Sequence, residues 1–212
     1  FYPKQYLESS KLPINHNYLD QQFSDMDEIW KKIREVVVRG DFTLGSDVDK
    51  LEEEFANLNG CKHAIGVGSG TDAIFLSLKA LGIKEGDEVI TTAFTFYATI
   101  GAICTAGAKP VFVDILNDFN IDANKIEDKI TSKTKAIVPV HWSGKPCDMK
   151  LIQSIANKYD LPIVSDACHS IQAEYNGIKS GALGDLSCFS FHPLKNLNVW
   201  GDGGIITTNS DE

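Results

Sequence analysis

The sequence has 212 residues, of which 43% are hydrophobic and 23% charged, as is usual for a folded chain with a sizeable core. Twenty Lys and Arg residues against 29 Asp and Glu give a formal net charge of -9 at pH 7. This balance argues against a protein that binds nucleic acid or an acidic membrane surface, although it leaves room for a local phosphate pocket.

Two amphipathic helices are predicted before the first strand. The segment SDMDEIWKKIREVVVRG is expected to begin near Ser24 or Asp25 and to end near Gly40. The segment SDVDKLEEEFANLNG is expected to begin at Ser46 and to end at Gly60. Both place charged residues on one face and apolar residues on the other.

Short apolar segments rich in β-branched residues follow, and helical patterns lie between them. Several of these segments lack polar alternation, which is typical of strands that are buried on both faces of a mostly parallel sheet. The helical patterns are TDAIFLSLKALGI and DMKLIQSIANKY, so the predicted fold class is α/β. The predicted strands are AIGVG, EVITTAF, PVFVDI, KAIVPV, LPIVSDA, LSCFSF and GGIITT.

The cysteines are widely spaced and form no C-x-x-C pair, which predicts neither a zinc site nor a dense disulfide framework. No stretch reads as a signal peptide or as a membrane-spanning segment. We therefore expect a cytoplasmic protein without a membrane partner. The cysteines are Cys61, Cys104, Cys147, Cys168 and Cys188.

The first candidate site is the strand-to-helix turn in GVGSGTDAIFLSL, residues 66–78. Free backbone N–H groups and the helix dipole make such a helix start an anion site, and Gly70 allows a phosphate to approach closely. Thr71 can add a hydroxyl group. The same turn could also connect a strand and a helix without any ligand. A dinucleotide site is a weaker interpretation, because the spacing is G-x-G-x-G instead of G-x-G-x-x-G.

Two further predicted strand ends carry an aromatic cluster and a carboxylate. Phe94, Phe96 and Tyr97 lie in TTAFTFYAT, where aromatic residues are most often core but one could offer its ring face to a flat heterocycle. Asp166 follows the apolar strand of IVSDACHS, where a buried carboxylate needs a partner. Asp166 could cap the next turn, or it could pair with a protonated ring nitrogen.

The last candidate is Lys195, in the segment SFHPLKNLNVWGDGG that follows a predicted strand. A lysine in a partly desolvated pocket becomes a nucleophilic amine that forms Schiff bases with aldehydes, whereas a lysine in an isolated loop usually has no such role. Cys168 and His169 also suggest a metal site, but no second cluster stands at ligand spacing.

Together these segments offer a phosphate cradle, an aromatic ring face, a strand-end carboxylate and an aldehyde-trapping lysine. A pyridoxal phosphate site needs these groups. We therefore predict that Lys195 holds a cofactor aldehyde.

The sequence resembles the DegT/StrS family of pyridoxal-phosphate-dependent sugar aminotransferases. The resemblance implies the aspartate aminotransferase fold, whose large domain has a mostly parallel seven-stranded sheet flanked by helices. Residues 1–212 would then form an N-terminal segment plus this large cofactor-binding domain, with the family's smaller C-terminal domain absent from this chain. The matching blocks are GDFTLGSDVDKLEEEFA, VGSGTDAIFLSLKALGIKEGDEVITTAFTFYAT, AGAKPVFVDI, VHWSGKPCDM, SDACHSIQAEYNG and GDLSCFSFHPLKNLNVWGDGG.

The resemblance also implies catalytic roles for three residues. Lys195, at the family's S-F-x-x-x-K position, would form the Schiff base with pyridoxal phosphate and later shuttle a proton. Asp166 would pair with the pyridinium nitrogen. His169 would lie near the ring oxygen of the cofactor.

The remaining cofactor contacts are implied in the same way. Gly70, Thr71 and Ser190 would hold the phosphate, and Phe96 would stack on the ring. Family members are dimers with shared active sites, so a homodimer is expected.

The activity implied is transfer of an amino group from an amino acid, glutamate or glutamine, to a keto group of a nucleotide-linked sugar in aminosugar biosynthesis. The loop KNLNVWGDGG is more typical of aminotransferases that act at C3 of a keto sugar or on keto-cyclitols than of C4 enzymes. Three alternatives remain: a sugar dehydratase of the same fold, which would carry His in place of Lys195, a non-catalytic regulator of this fold, and a nicotinamide oxidoreductase.

Overall fold

The structure, a computed structural model, describes residues 19–212. The chain forms two compact units, Phe1–Ser46 and Asp47–Glu212. In the first unit the described part contains helices α1 (Leu19–Gln22) and α2 (Asp27–Arg39). Helix α2 ends at Arg39, next to the predicted Gly40, which has a left-handed φ of 70° and donates its N–H to the carbonyls of Val36 and Val37.

The second unit alternates strands and helices, as the periodicity of the sequence predicts. The helices are α3 (Ser46–Asn59), α4 (Gly70–Ala80), α5 (Tyr97–Thr105) and α6 (Met149–Tyr159). The strands are β1 (His63–Val67), β2 (Glu88–Thr92), β3 (Lys109–Val113), β4 (Thr134–Ile137), β5 (Val164–Asp166), β6 (Glu174–Tyr175), β7 (Ile178–Lys179), β8 (Leu186–Ser190) and β9 (Gly204–Thr208).

Seven strands follow one another in the order β3–β2–β4–β5–β8–β9–β1. Their hydrogen bonds define a three-stranded sheet, β3–β2–β4, and a four-stranded sheet, β5–β8–β9–β1. Two isolated parallel bridges, Ile137 to Ile163 and Val140 to Asp166, connect the two sheets. Strand β9 is antiparallel to both neighbours, and the other ladders between these strands are parallel. The predicted mostly parallel arrangement is therefore found, but as two bridged sheets and not as one uninterrupted ladder.

Strands β6 and β7 form a separate hairpin that the sequence pattern did not predict. Its turn is Asn176–Gly177, with φ of 52° and 81°, as expected for an Asn-Gly turn between twisted strands. Each strand has only two residues, which is too short for a visible alternation.

Alternating strand residues pack into two separate apolar clusters. Val89 contacts the cluster that includes α4 and α5, whereas the adjacent Ile90 contacts the cluster that includes α6. Val164 and Ile163 alternate in the same way. Because successive side chains point to opposite faces, both faces of these strands are buried, which explains their uninterrupted apolar sequences.

The parallel strands bring six loops to one edge of the sheets. β1, β2, β3, β4, β5 and β8 all end at this edge, which is where open α/β folds place their ligands. No helix within residues 19–212 has the length and apolar character needed to cross a membrane.

Candidate active site

A cavity of about 660 Å³ lies in the second unit, beyond the carboxyl ends of the parallel strands. Loops from distant parts of the chain converge on it. The predicted site residues that line it are Gly70, Thr71, Phe96, Asp166, His169, Ser190 and Lys195.

The N-terminus of helix α4 forms one wall of the cavity. Ser69 caps the helix, because its side-chain oxygen accepts the N–H of Asp72 at 3.0 Å. The N–H groups of Gly70 and Thr71 have no acceptor inside the helix, since they belong to its first turn. Together with the positive end of the helix dipole, they form a site for an anion.

Close packing holds this helix start against the end of β8. A Cβ atom on Gly70 would lie only 2.6 Å from Cβ of Ser190, so the position requires glycine. The Ser190 oxygen accepts the N–H of His192 at 3.2 Å, which leaves the hydroxyl proton free to be donated. Ser190 therefore adds a donor to the two backbone N–H groups.

Asp166 lies at the end of β5 and is only 6% exposed. Its Oδ2 accepts the hydroxyl of Thr99 at 2.7 Å, and its Oδ1 accepts the N–H of Cys168 at 3.2 Å. No Lys or Arg within residues 19–212 pairs with it. A buried carboxylate without a cation at the wall of a cavity is suited to bind a protonated nitrogen.

Lys195 is partly buried and lies in the loop after β8. Its backbone N–H donates to the carbonyl of His192 at 2.8 Å, and its carbonyl accepts the side-chain amide of Asn198 at 3.1 Å. Within residues 19–212, no carboxylate forms an ion pair with its Nζ. Hydrogen bonds therefore hold the backbone of Lys195, while its amine forms no salt bridge with the described residues.

His169 and Phe96 complete the walls. Burial, followed by the positive charge of Lys195, lowers the pKa of His169 below its ordinary value of 6.5, so the imidazole is neutral near pH 7. Phe96 is 55% exposed and precedes helix α5, with Tyr97 beside it at a ring distance of 4.3 Å. One face of an exposed ring at a cavity wall can stack on a flat heterocycle.

Several lining or adjacent residues were not predicted. Thr95 and Thr99 lie in the aromatic segment and line the cavity. The only local sign of this was the hydroxyl of Thr99, three residues after Phe96. His141, in the segment after β4, is fully buried, and Trp142 lines the cavity with its ring 5.2 Å from that of His169. The positions of His141 and Trp142 depend on the strand order, which cannot be read from a local sequence pattern.

Cys168 and His169 are the two residues for which the sequence also suggested a metal site. Burial, followed by the charge of Asp166, raises the pKa of Cys168 well above its usual range, so the sulfur stays a thiol. Within residues 19–212, no group of three or more His, Cys, Asp and Glu side chains is placed to hold a metal ion.

The donor set fits pyridoxal phosphate. The start of α4 and Ser190 could hold a phosphate, Asp166 a protonated ring nitrogen, Phe96 a ring face and Lys195 an aldehyde carbon. A cavity that binds no ligand would need neither the buried Asp166 carboxylate without a cation nor the close packing of Gly70 against Ser190.

Comparison with solved structures defines the class of protein. The chain superposes on ntda from Bacillus subtilis with bound cofactor PMP, with a TM-score of 0.82 and 40% identity over 88% of this chain and 42% of that one. The fold is therefore that of the pyridoxal-phosphate-dependent aminotransferases.

The DegT/DnrJ/EryC1/StrS aminotransferase family model matches residues 24–212, and the chain belongs to this family. The chain is 50% identical to the pleiotropic regulatory protein of Geobacillus stearothermophilus, over 92% of this chain and 53% of that protein. It is 46% identical to the UDP-N-acetyl-3-dehydro-alpha-D-glucosamine 3-aminotransferase of Acidithiobacillus ferrooxidans, over 88% of this chain and 51% of that protein. The chain spans about half the length of the curated relatives it matches.

Proposed function

We propose that this chain is the cofactor-binding part of a pyridoxal-phosphate-dependent aminotransferase. It moves an amino group from an amino acid, glutamate or glutamine, to a keto group of a nucleotide-linked sugar. The observation that carries the proposal is the convergence of the α4 N-terminus, Asp166 and Lys195 on one cavity. Family membership and the name of the Acidithiobacillus ferrooxidans relative support the reaction and the substrate class.

Pyridoxal phosphate, when bound, supplies an aldehyde for the amino group and a ring that withdraws electrons. In this role Asp166 holds the ring nitrogen in its protonated form through the carboxylate lone pairs that Thr99 and Cys168 leave free. Gly70, Thr71 and Ser190 hold the phosphate. Lys195 Nζ would hold the aldehyde carbon of the cofactor, and its amine would accept and return a proton.

The neutral His169 contributes without adding charge. Because its pKa is lowered, the imidazole can donate one hydrogen bond to an oxygen on the cofactor ring and places no second cation beside Lys195. The protonated thiol of Cys168 likewise leaves Lys195 as the nucleophile of the cavity.

The test is chemical capture of the cofactor. The full-length gene product is purified with pyridoxal phosphate, reduced with borohydride and digested, and its peptides are analysed by mass spectrometry. We expect a pyridoxyl group on the peptide that contains Lys195 and none in a Lys195→Ala variant. An adduct on another lysine, or no adduct, would contradict the proposal.

The dehydratase and regulator alternatives are disfavoured by the same residues. By the resemblance, a dehydratase would carry His in place of Lys195, and a regulator without catalysis would not need both Lys195 and Asp166. The name of the Geobacillus stearothermophilus relative concerns regulation, so a regulatory role is the second candidate. A protein that forms the Lys195 adduct but transfers no amine to any keto sugar would favour it.

We also propose that the protein is a cytoplasmic homodimer with shared active sites. The resemblance to a family of dimers with shared active sites supports the assembly, and the free state of the five cysteines supports the reducing compartment. Light scattering on the full-length gene product measures the assembly directly, and a monomer that forms the Lys195 adduct would contradict it.

A further inference from the structure

Two threonine hydroxyl groups link the wall of the cavity to the buried carboxylate of Asp166. Thr99 is fully buried, and its Oγ1 lies 2.7 Å from Asp166 Oδ2. The same Oγ1 lies 2.7 Å from Oγ1 of Thr95, which is partly buried and lines the cavity. The three groups form a continuous hydrogen-bonded chain.

The direction of this chain follows from the number of protons available. An ionised carboxylate can only accept hydrogen bonds, so Thr99 donates its single hydroxyl proton to Asp166. Thr99 then has only lone pairs to offer Thr95, so Thr95 is the donor between them. Each bond polarises the next, and a chain of this kind is stronger than its separate members.

The carboxylate of Asp166 is consequently held at both oxygens. The N–H of Cys168 holds Oδ1 at 3.2 Å, and Thr99 holds Oδ2 at 2.7 Å. The backbone is fixed as well, because the Asp166 N–H donates to the carbonyl of Pro139 at 2.9 Å. Only the hydroxyl bond can be removed by substitution of one side chain without altering the backbone.

We propose that Thr99, supported by Thr95, is a positioning residue that sets the orientation of the Asp166 carboxylate toward a protonated ring nitrogen in the cavity. This inference rests on the proposed function. The threonines act through Asp166. Their loss changes how tightly and in which electronic form the cofactor is held.

The experiment compares Thr99→Val, which keeps the shape and removes the hydroxyl, with Thr99→Ser, which restores the hydroxyl. Thr91→Val is the matched control, because Thr91 is equally buried but its hydroxyl donates to the carbonyl of Val138 at 2.8 Å. The dissociation constant of pyridoxal phosphate and the absorption band of the bound cofactor are measured on the full-length gene product.

We expect Thr99→Val to raise the dissociation constant about tenfold and to shift the absorption band, because one hydrogen bond to a charged group is lost. Thr99→Ser should restore both values, and Thr91→Val should leave both unchanged. If Thr99→Val and Thr91→Val behave alike, the positioning role is wrong.

Thr95→Val provides a second test if Thr99→Val does not fold, because Thr95 is only partly buried. It should shift the absorption band in the same direction by a smaller amount, and Thr95→Ser should not; equal bands in the two variants would overturn the inference. A wild-type protein without a Lys195 adduct would reject the proposed function and this inference together. If the wild type forms the Lys195 adduct but the threonine variants keep the wild-type dissociation constant and absorption band, only this inference is rejected.

Discussion

Single residues at the sheet edge combine deep burial with a need for polar partners. Asp166 meets this need through Thr99 and the Cys168 N–H. His141 meets it in part: its Nδ1 accepts the N–H of Cys147 at 3.2 Å, while its Nε2 has no partner among residues 19–212. With Nδ1 an acceptor, the imidazole proton resides on Nε2 and the ring is neutral.

The burial of His141 predicts loss of stability in acid. Burial lowers its pKa from 6.5 to about 4, and the charge of Asp166 opposes this only in part. Since the pKa is lower in the folded state, the unfolded chain binds more protons as the pH falls below 6.5, and the free energy of unfolding decreases. This one residue should remove about 2 kcal/mol by pH 5.

Urea unfolding at pH 7 and pH 5 measures this effect. In a His141→Asn variant, which keeps an acceptor for the Cys147 N–H but does not titrate, the difference between the two pH values should be smaller by about 2 kcal/mol. An equal difference in the wild type and the variant would show that His141 does not cause the acid sensitivity.

At the scale of elements, the phosphate cradle depends on how closely α4, β8 and β9 approach one another. Gly70 packs against Ser190 at the end of β8, and Gly204 at the start of β9 packs against the carbonyl group of Ser69. Ser190 and Gly204 are register partners in the β8–β9 ladder. The predicted phosphate site is therefore formed jointly by α4, β8 and β9.

Substitution at Gly204 should disrupt this joint. A Cβ atom there would overlap with the Ser69 carbonyl and lie 2.8 Å from the Gly70 nitrogen, so backbone atoms would have to move. We expect Gly204→Ala to lower the free energy of unfolding by about 2 kcal/mol and to weaken pyridoxal phosphate binding.

Gly101→Ala is the matched control for this prediction. Gly101 lies inside α5, and a Cβ atom there meets nothing within 4 Å. This variant should gain about 0.5–1 kcal/mol because alanine favours the helix. Urea unfolding and cofactor titration of both variants are the measurements, and equal stability of the two would contradict the packing argument.

At the scale of the whole molecule, the chain covers about half of each curated relative named above. The segment KNLNVWGDGG begins at Lys195, and its Asp202 lines the cavity.

We expect the full-length gene product to aminate nucleotide-linked 3-keto sugars in preference to 4-keto sugars. The typical form of this loop and the name of the Acidithiobacillus ferrooxidans relative support C3 as the position. A panel of UDP-, dTDP- and GDP-linked 3-keto and 4-keto sugars, with glutamate or glutamine as donor, is assayed for amine product by mass spectrometry. Turnover of only the 4-keto sugars would contradict this preference.

The amino-acid sequence by itself determined the fold class, the family and the principal groups at the cavity. Uninterrupted apolar segments predict buried parallel strands, the glycine-rich turn before α4 predicts an anion site, and Lys195 and Asp166 stand in specific motifs. These signals are local, because each arises from the conformational preference or the chemistry of a few adjacent residues.

Only the tertiary structure decided which distant residues meet. The Thr95–Thr99–Asp166 chain and the close contact of Gly204 with Ser69 each join segments far apart in sequence, and the complete burial of His141 depends on the elements packed around it. The tertiary structure also decides that the strands form two bridged sheets instead of one ladder. Such contacts depend on strand order and on the depth to which side chains are buried, and neither property is carried by the pattern of a single segment.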